Sequence, residues 1–208
     1  RGLIIGDVQS GKTATYSGLI CKAADAGYKV VILLAGITEN LRQQTQERID
    51  ESIIGITYKK QGRTVLPPQR VGVGKDNQDL RATSFTSCVN DFVGNHDKIA
   101  MSLNSQKSLV VFVIKKNVSV LQKLHKWLKD QNLDPVKGYI DIPMLLVDDE
   151  ADNASVNTKK DETDPTKTNK LIRQICTLFK DTTYVGFTAT PFANVFIDPD
   201  SVDSMKNA

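Results

Sequence analysis

The chain has 208 residues, 40% of them hydrophobic and 25% charged, with a formal net charge of +3. That length and apolar content can bury a full core, which excludes a disordered chain and suits one large domain. The small positive excess neither demands nor excludes a nucleic-acid partner, and the three widely spaced cysteines, Cys21, Cys88 and Cys176, form neither a zinc pattern nor a disulfide framework.

No apolar run approaches the length of a membrane span and no secretory signal is present, so a soluble, cytoplasmic protein without a membrane partner is expected. Arg1 and Gly2 stand directly before the first apolar run with no initiator methionine, which suggests a fragment of a longer protein.

In chain order, Leu3–Gly6 reads as a buried strand that runs into Gly6-Asp7-Val8-Gln9-Ser10-Gly11-Lys12-Thr13. This octet satisfies the pattern G-x-x-x-x-G-K-[ST] at every required position. Its glycines let backbone N–H groups approach phosphate oxygens, so Gly6, Gln9, Ser10 and Gly11 are expected to form an anion cup. Lys12 then places an ammonium on the β and γ phosphates, Thr13 offers its hydroxyl to Mg²⁺, and the following helix points its positive dipole end at the same charge. ATP and Mg²⁺ are the cofactors this predicts. The helix, Lys12–Ala26, carries Leu19, Ile20, Ala23 and Ala24 on one face and stops at Gly27.

A strand at Val30–Ala35 and a helix at Glu39–Glu51 follow. Residues 55–79, with Gly62, Pro67, Pro68, Gly72 and Gly74, read as an irregular excursion holding one short strand at Arg70–Val73. Beyond it the pattern suggests a helical stretch over Ser84–Val93, a strand at Ser108–Ile114 and a helix at Val118–Gln131. Val118, Leu121, Leu124 and Leu128 form that helix's apolar stripe, so its Trp127 is expected to pack and its His125 to sit at the surface or boundary. A strand at Pro143–Asp148, a polar and mobile loop at residues 157–168, a helix at Asn169–Lys180 and a strand at Tyr184–Thr188 complete the chain. Near-continuous apolar strands alternating with helices predict a doubly wound α/β domain, its mainly parallel sheet covered on both faces.

Two further motifs bear on chemistry. After the strand at 143–148 come Asp148, Asp149, Glu150, Ala151 and Asp152, and parallel α/β folds gather ligands at the carboxyl ends of their strands. One carboxylate there can hold Mg²⁺ and Glu150 can activate the attacking water. The D-E-A-D pattern favours Asp149 for the metal, whereas distance from the strand alone allows Asp148. The last strand ends in Gly186-Phe187-Thr188-Ala189-Thr190-Pro191, where Thr188 and Thr190 suit coupling rather than chemistry.

Taken in order, GDVQSGKT, DEAD and TATP resemble motifs I, II and III of superfamily two helicases and translocases, including the motor subunits of restriction systems. The resemblance implies a RecA-like ATP-binding lobe over residues 1–208, with a second such lobe beyond residue 208. Thr38, Leu41 and Gln44 match a segment that contacts nucleic-acid backbone in that superfamily, although Glu39 stands where a basic residue is usual. The longer phrases AGITENLRQQTQERID, LLVDDEADNASVNT and GFTATPFANVFIDP resemble the Z-one domain family of endonuclease-type proteins, bacterial and associated with restriction or defence loci. In that family Lys115, Lys116 and Asn117 match a recurring K-K-N. They are read equally as a phosphate or nucleic-acid contact and as a polar helix entry capped by Asn117.

The resulting expectation is an NTP hydrolase that couples Mg·ATP hydrolysis to movement on nucleic acid, DNA in a restriction setting, with restriction or defence subunits as possible partners. Lys12 and Glu150 are its catalytic residues, Thr13 and Asp149 its metal ligands. One lobe alone is expected to hydrolyse ATP poorly. The alternative is a P-loop ATPase that remodels a protein partner without nucleic acid. No nuclease arrangement of carboxylates and lysine is evident in the sequence, so strand cleavage is expected to reside elsewhere.

Overall fold

The structure, a computed structural model, describes residues 2–5, 11–77, 79–92, 102–151 and 165–189. Gly6, Gln9, Ser10, Asp152 and Thr190, together with residues 157–164 of the expected polar loop, lie outside them. The elements run β1 (Gly2–Ile5), α1 (Lys12–Asp25), β2 (Val30–Ala35), α2 (Glu39–Ile49), then the short strands β3 (Ile56–Thr57), β4 (Lys60–Gln61), β5 (Thr64–Val65) and β6 (Gln69–Arg70). After the one-turn helix α3 (Val73–Asp76) come β7 (Ala82–Ser84), β8 (Leu109–Ile114), α4 (Val118–Asn132), β9 (Met144–Asp149), α5 (Pro165–Thr177) and β10 (Thr182–Thr188).

Six strands form one sheet in the order β1-β10-β9-β2-β8-β7, and every pair in it is parallel. β2 and β8 are buried along their whole length, as a strand covered on both faces must be. Alternation divides the core in two. Val30, Ile32 and Leu34 of β2, with Phe112 of β8 and Leu146 of β9, face α4 and α5. Val31 and Leu33 of β2, with Val113 of β8 and Val147 of β9, face Tyr16 and Ile20 of α1 and Ile49 of α2. The fold is therefore the doubly wound α/β sandwich expected from the sequence. No helix among the described residues is long and apolar enough to cross a membrane.

Residues 165–168, expected within the polar loop, open α5 instead, and the structure departs from expectation in two further places. Over Ser84–Phe92, the described part of the stretch expected to be helical, there is no helix: Ala82–Ser84 is an edge strand, and the chain then turns, with Ser87 and Asn90 exchanging backbone hydrogen bonds. Side-chain hydroxyls take over the bonding a helix would have used. Thr86 donates to Gln46 Oε1 (2.7 Å) and accepts from Val113 N (2.8 Å), while Gln46 in turn donates to Asp50 (2.8 Å). Phe85 and Phe92 converge on Phe112 and Trp127. The excursion after residue 55 holds two small antiparallel pairs, β3 with β6 and β4 with β5, rather than a single strand. It follows a π-helical turn, Asp50–Ile54, that extends α2.

Trp127 is 1% exposed and packs against three phenylalanines, in keeping with the packing role expected of it. Trp127→Ala should destabilise the domain by about 3–5 kcal/mol, the range for truncating a large core aromatic. Urea denaturation checks this; a loss below 1 kcal/mol would mean that the cluster is not a core.

Candidate functional site

Because all six strands of the main sheet run the same way, their carboxyl ends share one edge of the molecule. The register aligns them there: Ile5 lies opposite Thr188, Phe187 opposite Asp149, Asp149 opposite Ala35, and Leu34 opposite Ile114. The segments that leave this edge are the glycine-rich loop after β1, the acids after β9, the T-A-T-P segment after β10, Thr38 after β2 and the lysines after β8. Motifs scattered over the chain become neighbours through strand order alone.

Of the octet, Gly11, Lys12 and Thr13 are described. Gly11 precedes the first residue of α1 with φ +77°, a left-handed conformation that costs a residue with a Cβ about 1–2 kcal/mol. It also lets α1 start abruptly, with the N–H groups of its first turn unclaimed by any side-chain cap. Thr13 Oγ1 accepts hydrogen bonds from Arg48 Nη1 of α2 (2.8 Å) and from the Tyr16 hydroxyl (3.3 Å).

The two aspartates at the end of β9 point to opposite faces of the sheet. Asp148 follows Leu146 onto the α4/α5 face, and Asp149 follows Val147 onto the face covered by α1. Asp148 is fully buried, its Oδ1 2.6 Å from Lys116 Nζ and its Oδ2 accepting from the Tyr184 hydroxyl at 2.7 Å. Asp149 is half-buried on the Lys12 side. Burial pushes its carboxyl above the ordinary range, the Lys12 ammonium pulls it back, and the neighbouring Glu150 pushes it up again. Glu150 has φ +56°, the only positive φ outside glycine among the described residues. Its carboxylate reaches over the end of β2, where a Cβ on Gly36 would stand 3.3 Å from Glu150 Oε2.

Lys116 ties three strand ends together. Its backbone N–H donates to Gly36 O (2.8 Å), while its ammonium bonds both Asp148 and the backbone oxygen of Glu150. Its side chain is buried, with the ammonium on Asp148 and the Glu150 backbone oxygen rather than in solvent. Asn117 caps α4, its side chain accepting from Ser119 N at 2.9 Å. Lys115 is one-quarter exposed and pairs with Glu39 (2.7 Å) and Asp91 (3.7 Å).

Thr38 caps α2 by accepting from Leu41 N (3.3 Å), and Gln44 is exposed on the same helix. Glu39 bridges Lys115 and the buried Arg42, whose Nη2 lies 2.6 Å from it. Burial alone would raise the Glu39 carboxyl, but hydrogen bonds from Arg42 and Lys115 outweigh it and hold the group below the ordinary range. Thr188 is fully buried, and alternation along β10 puts it on the face of Tyr184 and Asp148.

The sequence reading missed Tyr184, Arg42 and Arg48. Period-two alternation back from Thr188 places Tyr184 on the Asp148 face, so that residue was within reach; no local pattern reports the other two.

The donors near Lys12 are hard oxygens, the Thr13 hydroxyl and the Asp149 carboxylate, and these fit Mg²⁺. Among the described residues no three His, Cys, Asp or Glu side chains gather as a metal cage. A cation held here would therefore take its remaining ligands from phosphate and water, as Mg²⁺ commonly does.

The family model described as "Type III restriction enzyme, res subunit" matches residues 1–193. No curated protein matches the chain.

Removing Lys116 leaves a buried, uncompensated carboxylate. Lys116→Met should cost about 3–5 kcal/mol in urea denaturation, and the double change with Asp148→Leu should recover most of it. Failure of the double variant to recover would separate the two residues energetically.

Proposed function

We propose, from the premise that the chain belongs to the type III restriction enzyme res-subunit family, that it binds Mg·ATP at the carboxyl edge of its sheet and couples hydrolysis to movement on nucleic acid. The family carries the coarser statement, a helicase-like ATP-binding lobe of a restriction-type enzyme. One observation favours the finer one: Lys12, Thr13 and Asp149 come to the same face of the sheet, whereas Asp148 is turned away into an ion pair. In this reading Lys12 neutralises the β and γ phosphates, Gly6, Gln9, Ser10 and Gly11 cradle them, and Thr13 and Asp149 hold Mg²⁺. The ion screens charge that develops on the transferred phosphoryl group. Glu150, projected over Gly36 by its left-handed backbone, orients the attacking water. Thr188 and Thr190 relay nucleotide state, and a second lobe supplies the opposite wall of the site.

The nucleic-acid backbone is proposed to cross the ends of β2 and β8 at Thr38, Gln44 and Lys115. The Z-one resemblance refines the family to an endonuclease-type protein of a restriction or defence locus acting on DNA, with cleavage residing outside these residues. A second reading, a P-loop ATPase acting on a protein partner, draws support from Glu39. Its carboxylate neutralises Lys115 and Arg42 where a phosphate backbone would need them.

Lys12→Ala should abolish ATP binding by titration calorimetry. Asp149→Asn should weaken binding in Mg²⁺ while leaving binding in EDTA nearly unchanged, and Asp148→Asn should lower the melting temperature instead. A metal-specific loss in Asp148→Asn would reverse the assignment. In the full-length protein, single- or double-stranded DNA should raise ATP turnover at least about tenfold, an effect lost with rising salt. No stimulation by any nucleic acid would favour the protein-partner reading.

A further inference from the structure

Arg48 was assigned no role by the sequence, yet it holds Thr13, the one oxygen-bearing side chain of the glycine-rich octet among the described residues. Its Nη1 donates to Thr13 Oγ1 at 2.8 Å, reaching across from the last turn of α2. The Tyr16 hydroxyl donates to the same oxygen at 3.3 Å. A hydroxyl oxygen has two acceptor lone pairs, so with both donors in place none is left for a cation. Tyr16 is buried and its bond to Thr13 is long at 3.3 Å, so its hydroxyl can release Thr13 by turning its proton away without the ring leaving its place. Arg48 has no such compatibility. A Mg²⁺ ligated at about 2.1 Å and a guanidinium at hydrogen-bond distance from the same oxygen stand within about 5 Å of each other, and both are positive. Arg48 is exposed and its side chain is long, so it can swing into water at little cost.

We propose that Arg48 competes with the divalent cation for Thr13 Oγ1: it occupies the hydroxyl in the nucleotide-free protein and must leave before Mg²⁺ is ligated. Arg48 is thus a positioning residue that sets the metal requirement of the site and is not itself a phosphate ligand. The inference rests on the reading of Thr13 as a Mg²⁺ ligand given above. It also connects nucleotide loading to α2, because the departing side chain belongs to the helix that carries Thr38 and Glu39 at its other end.

The test is a Mg²⁺ titration of ATP binding to the full-length protein, followed calorimetrically, with a parallel measurement in EDTA. Arg48→Ala should lower the Mg²⁺ concentration for half-maximal binding about two- to fivefold, the size of one exposed charge interaction, and leave the EDTA affinity unchanged. Lys22→Ala removes an exposed charge from the far end of α1 and should leave the midpoint where it is. Equal shifts in both variants, an unchanged midpoint in Arg48→Ala, or a loss of affinity in EDTA that marks Arg48 as a phosphate ligand would each overturn the proposal. Absence of Mg²⁺-dependent ATP binding in the unaltered protein would overturn the nucleotide-site reading, and the inference with it.

Discussion

The buried pair between Lys116 and Asp148 is the constraint around which the carboxyl edge is assembled. A carboxylate placed at the end of a buried strand must be neutralised, and here Lys116, just beyond β8, is drawn inward to do so. That movement puts the Lys116 N–H on Gly36 and its ammonium on the Glu150 backbone oxygen, so the ends of β2, β8 and β9 are held at fixed spacing. Asp149, the next residue along, is thereby left on the opposite face with its carboxylate toward Lys12. The pair adds little net stability by itself, since desolvation consumes most of its attraction, but it fixes Asp148 as the aspartate that is neutralised within the protein.

Much of this was legible from the residues. Runs such as Val30–Ala35 and Ser108–Ile114 are too uniformly apolar to be anything but strands covered on both sides. The octet ending at Thr13 and the acids after Met144–Val147 follow such runs, which is where a parallel sheet puts its ligand edge. The choice between Asp148 and Asp149 was harder, because it depends on which parity of β9 faces α1, and a strand buried on both faces shows no alternation to read. The partner of Lys116 was out of reach for a related reason: a lysine after a strand looks solvent-bound until a buried carboxylate from another strand claims it. The helix expected from Ser84 onward is absent over Ser84–Phe92 because Thr86 and Gln46, forty residues apart, settle the local bonding, a contact that no local pattern reports.

Charge beyond the ends of β2 and β8 is balanced more closely than net charge suggests. Glu39 meets both Lys115 and Arg42, and Asp91 lies within 3.7 Å of Lys115. A passing polyanion finds this patch already occupied, and its attraction depends on how readily Glu39 lets Lys115 go. The same helix ends at Arg48, so α2 carries an ionic contact at each extremity, one toward the sheet edge and one toward α1.

Glu150 holds its carboxylate over β2 only by adopting a backbone conformation that glycine takes freely and glutamate does not. A chain optimised for folding alone would place glycine there and gain stability. On the role proposed for Glu150, what the fold prefers and what the chemistry needs are opposed at this one position, and a substitution sought for thermal robustness there would come at the cost of the reaction.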